Sequence, residues 1–146
     1  MVSIREATIV ELSAFVKMEQ AEDTAEYITA YDLETHQIKF QDPDIVYLSI
    51  LHEAQLAGFI ILVLEADAMS VEFRRIVVSK RGSGVGQAAI KAMEAYCRNQ
   101  LKRQRVWLDV FDFNQRGRHI YEKQGYTYFK REDYKGQLLL FYEKLL

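Results

Sequence analysis

Apolar residues recur along this chain with two periods, and the switches between them mark out the elements. Alternation over Val2–Ala7 predicts a short strand, and Thr8 stands where it would cap a helix over Val10–Met18 whose Leu12, Phe15 and Val16 share one face. An acidic helical segment is expected from Asp23 or Thr24 to Tyr31. Leu33–Phe40 adds another turn or two before Asp42-Pro43-Asp44 breaks it. Two apolar runs, Ile45–His52 and Leu56–Leu64, are joined by Glu53-Ala54-Gln55 and read as a hairpin, which Val71–Val78 extends into a meander. The period then lengthens: Gly84–Asn99 brings Ala89, Met93, Tyr96 and Cys97 to one helical face. Val106–Phe111 is the next strand, and Gln115–Gln124 a helix ended by Gly125. Tyr126–Lys130 and Leu138–Tyr142, separated by the Lys135-Gly136 turn, form a closing hairpin.

At 146 residues the chain suits one domain over 1–146, large enough to bury a single core. No apolar run approaches the ~20 residues of a membrane span, and Met1–Glu6 lacks the apolar stretch of a signal peptide, so a cytoplasmic protein is expected. The lone Cys97 excludes an intrachain disulfide. His36, His52 and His119 are scattered without ligand spacing, so no metal is expected.

Charge is balanced overall but not along the chain. Residues 1–72 hold 14 acidic and 3 basic side chains, and residues 73–146 hold 7 and 16. An anionic ligand in the second half and a cationic one in the first would fit this asymmetry.

The anion has an obvious seat. Arg81-Gly82-Ser83-Gly84-Val85-Gly86-Gln87 lies between a strand and a helix, where alternating glycines bring backbone N–H groups close to an anion and the helix dipole adds to them. A nucleotide-hydrolysing P-loop would need a lysine and a hydroxyl where Gln87 and Ala88 stand. A dinucleotide fingerprint would need a different glycine spacing.

Together with Ile76-Val77-Val78 before it and Asn114-Gln115-Arg116-Gly117-Arg118-His119-Ile120-Tyr121-Glu122-Lys123-Gln124-Gly125-Tyr126 after it, this loop resembles the signature of the GNAT superfamily of N-acetyltransferases. The Arg81–Gly86 stretch is similar to R/Q-x-x-G-x-G, and the later segment to N-x-x-A-x-x-x-Y-x-x-x-G-F. Two departures stand out: only Ser79 and Lys80 separate Val78 from Arg81, and Gly117 takes the place of the common alanine, a change that loosens its helix by up to ~1 kcal/mol. The resemblance implies an α+β (α/β) fold with a central twisted, mixed but mostly antiparallel sheet of about six or seven strands flanked by about four helices.

It also implies acetyl-CoA as the acetyl donor and an amine as acceptor. Arg81, Gly82, Ser83, Gly84, Val85, Gly86 and Gln87 would cradle the pyrophosphate without a metal, and Lys80 or Lys123 could join Arg81 in neutralising it. The backbone of Ile76, Val77 and Val78 would pair with the pantetheine arm, with Val78 N–H meeting the oxyanion. Asn114 would cap its helix and touch the same arm, and Tyr121 would protonate the departing thiolate. An alkylammonium with a pKa of about 10 must lose a proton to react, which calls for a base. Glu72 is the first candidate, with an edge-of-sheet carboxylate paired with Arg74 as its alternative, and Asp109 the second, with pairing to a nearby arginine as its alternative. Cys97, on a packed helical face, reads as core, so transfer is expected to be direct, in a ternary complex.

The family's acceptor site is walled by N-terminal helices, which here carry Glu11, Glu19, Glu22, Asp23, Glu26, Asp32 and Glu34 and would attract a cationic amine, whereas Arg74 and Arg75 could instead grip an acceptor's carboxylate. A non-catalytic acetyl-CoA-binding sensor or scaffold is the alternative. Nucleic acid and membrane are not expected partners, and a homodimer through the last strand or a helix face is compatible with the sequence.

Overall fold

A computed structural model describes residues 1–21, 29–80 and 83–146. One seven-stranded sheet organises them. Strands β1 (Val2–Glu6), β2 (Ile45–His52), β3 (Gln55–Leu64) and β4 (Ser70–Val78) form an antiparallel meander. β5 (Arg105–Phe111) joins it in parallel, and the hairpin of β6 (Thr127–Tyr134) and β7 (Gln137–Leu145) completes the order β1-β2-β3-β4-β5-β7-β6. Four α-helices occur among the described residues: α1 (Leu12–Glu19), α2 (Leu33–Gln41), α3 (Val85–Asn99) and α4 (Gln115–Lys123). The expected sheet and helices are present. The acidic segment from Asp23 or Thr24 falls chiefly on 22–28, outside the described residues.

Boundaries shift where local chemistry outweighs periodicity. The first helix begins as a 3-10 turn over Ile9–Glu11, because Glu11 folds back to accept the Thr8 N–H at 2.9 Å. Both two-residue hairpin turns place their central residues at positive φ, Glu53 and Ala54 at 52° and 65°, Lys135 and Gly136 at 51° and 82°. That twist matches the flanking strands.

Each sheet face has its own core. On one, α3 contributes Val85, Ala89, Ile90, Met93 and Cys97 against Leu48, Ile60, Leu62, Val106 and Leu108. On the other, Leu12 and Phe15 of α1 pack on Tyr47, Phe59, Ile61 and Val77, with the Phe15 ring stacked 4.3 Å from that of Phe59. Burial of a ring this complete makes truncation to alanine cost about 3–5 kcal/mol.

A bulge in β4 decides which side chain reaches which layer. Ile61 pairs with Arg75 but Leu62 with Phe73, leaving Arg74 as the extra residue. Val71 and Phe73 before it face the α3 layer. After it Ile76 and Val78 do so, while Arg75 and Val77 turn to α1. The bend also ends the β4–β5 pairing, which covers only Ser70–Arg105, Val71–Val106 and Glu72–Trp107. Beyond that point the two strands part.

Candidate active site

The parting of β4 from β5 opens a cavity of about 1150 Å³ through the middle of the sheet. One wall is β4. Ser79 N–H is bonded to Ala57 O at 2.8 Å, so the alternation of an antiparallel ladder gives Val77 and Arg75 to β3 and turns the backbone N–H and C=O of Ile76 and Val78 towards the cleft. Ile76, Val77 and Val78 all line it.

At one end lies the start of α3. Gly84 is the residue before the helix, at φ +79°, a conformation that favours glycine, and the first-turn N–H groups of Val85, Gly86 and Gln87 have no partner within the helix. Ser83, Gly84, Gly86 and Gln87 line the cavity, while the Val85 side chain is buried in the core. Arg81 and Gly82 lie outside the described residues. Lys80 lines the cavity, as does Arg116, whose place two residues after Asn114 was the one available sequence clue. Lys123 is not among the lining residues.

The opposite wall comes from β5 and α4. Asn114 precedes α4 and accepts the Gly117 N–H at 2.9 Å, the expected cap. A Cβ on Gly117 would stand 2.7 Å from the Asn114 side-chain nitrogen, so the absent methyl leaves room for that cap. Tyr121, four residues after Gly117, presents its ring edge-on to Phe73 at 6.0 Å and to Tyr126 at 6.1 Å. Burial, with a further contribution from the Asp109 charge, pushes its hydroxyl up to about 12, so it is a proton donor at neutral pH.

The two candidate bases differ in position. Asp109 lines the cavity, and its carboxyl is raised above the ordinary range, first by burial and then by the Glu72 carboxylate, with Arg74 opposing. Glu72 is not among the lining residues. It sits in the last position of β4 that pairs with β5, where its two oxygens accept from Arg74 Nε at 3.0 Å and from an Arg74 terminal nitrogen at 2.8 Å. Arg74, Glu72 and Asp109 therefore form one charged cluster, in which Arg74 and Asp109 line the cleft and Asp109 is the carboxylate that does so.

A second cluster was not legible beforehand. Glu19 and His36 are fully buried, and His36 Nε2 donates to Glu19 at 2.6 Å while Nδ1 meets the Tyr47 hydroxyl at 2.7 Å. Arg75 reaches Glu19 from β4. Burial disfavours the Glu19 charge, yet the hydrogen bonds from His36 and Arg75 outweigh it and hold the carboxyl below its ordinary range. One clue was available: Glu19 continues the Leu12, Phe15 stripe of α1, a carboxylate on an apolar face.

These pairings revise the picture of the acceptor end. Arg74 is paired with Glu72 and Arg75 with Glu19, which offsets the positive charge that either guanidinium would offer to a carboxylate. Of the acidic N-terminal residues, Glu11 is bound to Arg5 and Ser49, Glu19 is buried, and Asp32 caps α2 by accepting Thr35 N–H at 2.8 Å. Glu34 is exposed; Glu22, Asp23 and Glu26 lie outside the described residues. Cys97 is buried against Met93, which pushes its thiol up to about 12 and leaves it no path to the cleft. Among the described residues there is no group of three or more His, Cys, Asp or Glu side chains able to hold a metal, and no helix is long and apolar enough to cross a membrane.

The sequence pattern of the Acetyltransferase (GNAT) family matches residues 12–126. No curated protein matches the chain by sequence. Among solved structures, spermidine N-acetyltransferase from Vibrio cholerae in complex with CoA and spermine superposes with a TM-score of 0.85 at 17% identity, over 99% of this chain and 95% of that one. The aminoglycoside acetyltransferase AAC(6')-Ib in complex with coenzyme A gives 0.84 at 14% identity, with the same coverage of 99% and 95%. At these identities the likeness is one of fold.

Proposed function

Since the chain belongs to the GNAT family of acetyltransferases, and is thereby an N-acetyltransferase with acetyl-CoA as donor, we propose that it passes the acetyl group directly to a primary amine within a ternary complex. The observation that carries this reading is the parted pair β4 and β5. Unpaired backbone of Ile76 and Val78, the first turn of α3, Asn114, Tyr121 and Asp109 all border one cleft.

The amide edge of β4 is complementary to the two amides of a pantetheine arm, and Asn114 stands across from it. The α3 first turn, with Lys80 and Arg116, supplies hydrogen bonds and positive charge to the pyrophosphate. Arg81 and Gly82 belong to the same proposed cradle on sequence grounds.

Asp109 is the better-supported base, taking the proton of the acceptor ammonium directly or through one water so that the amine nitrogen can attack the thioester carbon. Glu72 then works at one remove, since its negative charge is part of what raises the proton affinity of Asp109. Val78 N–H meets the oxygen that becomes negative as the carbon turns tetrahedral. When the carbon–sulfur bond breaks, Tyr121 gives its proton to the thiolate; the nitrogen sheds its second proton to solvent as the amide forms, Asp109 releases the first to solvent, and Tyr121 regains one from it. A phenol that keeps its proton and a carboxyl whose proton affinity is raised, on one cleft, suit these two tasks.

For the acceptor we favour a cationic amine of a small molecule or peptide, drawn by Asp109 to an end of the cleft where both neighbouring arginines are already neutralised. Release of coenzyme A, followed over a panel of a polyamine, a lysine-containing peptide, an aminoglycoside and an amino-acid amine, tests the proposal. Turnover of at least one amine is expected; tight acetyl-CoA binding without turnover of any would favour a sensor or scaffold.

A further inference from the structure

We propose that Arg75 is a positioning residue for the acceptor, holding residues Thr29 and Tyr31 at a fixed place over β4 through a buried relay from Glu19, His36 and Tyr47. Thr29 and Tyr31 line the cavity beside Phe73 and Arg74, at the end away from the α3 first turn. Neither belongs to a helix or strand, so regular backbone pairing does not set where they stand. Among the described residues their hydrogen bonds converge on Arg75 and Glu19, and Lys39 Nζ stands over the Tyr31 ring at 4.9 Å.

Arg75 makes three contacts that a single planar fork can satisfy together. One terminal nitrogen meets Glu19, the other donates to Thr29 O at 2.9 Å, and the guanidinium lies over the Tyr31 ring, 4.0 Å from its centroid. Glu19 answers from the other side, its Oε1 accepting the Tyr31 N–H at 3.2 Å. That same oxygen takes the His36 Nε2–H, and His36 is braced in turn by Tyr47 and by edge-on contact with the Tyr31 ring at 5.3 Å. The chain Tyr47–His36–Glu19–Arg75 thus runs from the interior of α1, α2 and β2 to the cavity wall with every strong polar group engaged. A buried ion pair is weak evidence of stability, since a well-packed apolar substitute often serves as well. Its better-attested use is to fix one arrangement among several, and here what it fixes is the acceptor wall.

The bulge makes this possible. Without Arg74 as the extra residue, strand alternation would turn residue 75 towards α3, away from Glu19.

The inference rests on the reading of the cleft as an N-acetyltransferase site, and the test separates the two. Arg75→Lys keeps a positive charge opposite Glu19 but cannot hold Glu19, Thr29 O and the Tyr31 ring at once. With the panel amine that the wild type turns over best, this variant is expected to raise the acceptor KM about tenfold, the order expected on losing a hydrogen bond to a charged group. At saturating amine, kcat should stay within about twofold, and the Kd for acetyl-CoA should not change. Tyr47→Phe, which removes the hydrogen bond at the inner end of the relay, should raise the acceptor KM in the same sense by a smaller factor, about threefold, with kcat and the acetyl-CoA Kd kept. A purely structural role would lower kcat or Tm without this split. A wild-type acceptor KM in Arg75→Lys overturns the inference, as does a rise in acetyl-CoA Kd matching the rise in KM, which would mean a general collapse of the cavity. A wild-type protein that turns over no amine overturns the transferase reading and this inference with it, whatever the variants do.

Discussion

Glu72 and Arg74, two residues apart on β4, close on each other through hydrogen bonds of 2.8 and 3.0 Å beside the cavity-lining Asp109. This pair gives a way to tell the two candidate bases apart. In Glu72→Gln, Asp109 loses a negative neighbour and Arg74 is released to act on it, both of which lower its proton affinity. The acid limb of the kcat/KM profile should move to lower pH, with activity above neutral largely kept. If Glu72 were itself the base, the same variant would lose that limb or need higher pH. Asp109→Asn should lower kcat by about a hundredfold or more with acetyl-CoA affinity unchanged, as measured by steady-state kinetics and calorimetry.

Tyr121→Phe should reduce kcat by about a hundredfold and barely alter acetyl-CoA binding or melting temperature. The ring keeps its edge contacts to Phe73 and Tyr126, so only the transferable proton is lost. An unchanged kcat would remove Tyr121 as the acid.

Acid stability should report on Glu11. Arg5 holds its carboxylate with bonds of 2.9 and 2.8 Å, Thr8 N–H and the Ser49 hydroxyl add to it, and together they lower its pKa from 4.5 to about 2. Because the folded value lies below the unfolded one, this contribution is complete above about pH 4.5 and is lost as the pH falls towards 2. Glu11→Gln should therefore melt about 3–5 °C lower at pH 7, the shift of ~1 kcal/mol in a chain of this size, and the gap to wild type should narrow through that window. A gap constant with pH in thermal melts would refute the assignment.

Gly58 offers a steric test. A Cβ there would stand 2.1 Å from Val77 O, closer than any real contact, so Gly58→Ala must push β3 away from β4 beside Val77 and Val78. A loss of about 1–3 kcal/mol in denaturant unfolding is expected, together with weaker acetyl-CoA binding measured at a temperature where the variant is folded.

Much of this was legible in the chain because it is local. Leu12 with Phe15, the apolar runs of β2 and β3, the Lys135-Gly136 turn and the Asn114 cap each depend on neighbours a few residues away, and the loop, Asn114 and Tyr121 carry their meaning in their spacing. The bulge at Arg74 has no such signature: it shifts the phase of β4 halfway along, so Val71 and Phe73 share a layer with Ile76 and Val78, against simple alternation. Whatever depends on that shift stayed hidden, including the reach of Arg75 to a glutamate 56 positions earlier. The pairing of Arg74 with Glu72 was by contrast within reach of the sequence, because the two stand two residues apart on one strand.

The three-residue seam between β4 and β5 leaves the sheet short of backbone partners at its centre, and the amides of Ile76 and Val78 are the ones left over. A donor that carries amides of its own would serve there as a removable strand. Occupancy of the cleft should thus be written in hydrogen exchange: these two amides slow when acetyl-CoA is bound and quicken when it leaves, while Val77, already bonded to β3, keeps its rate.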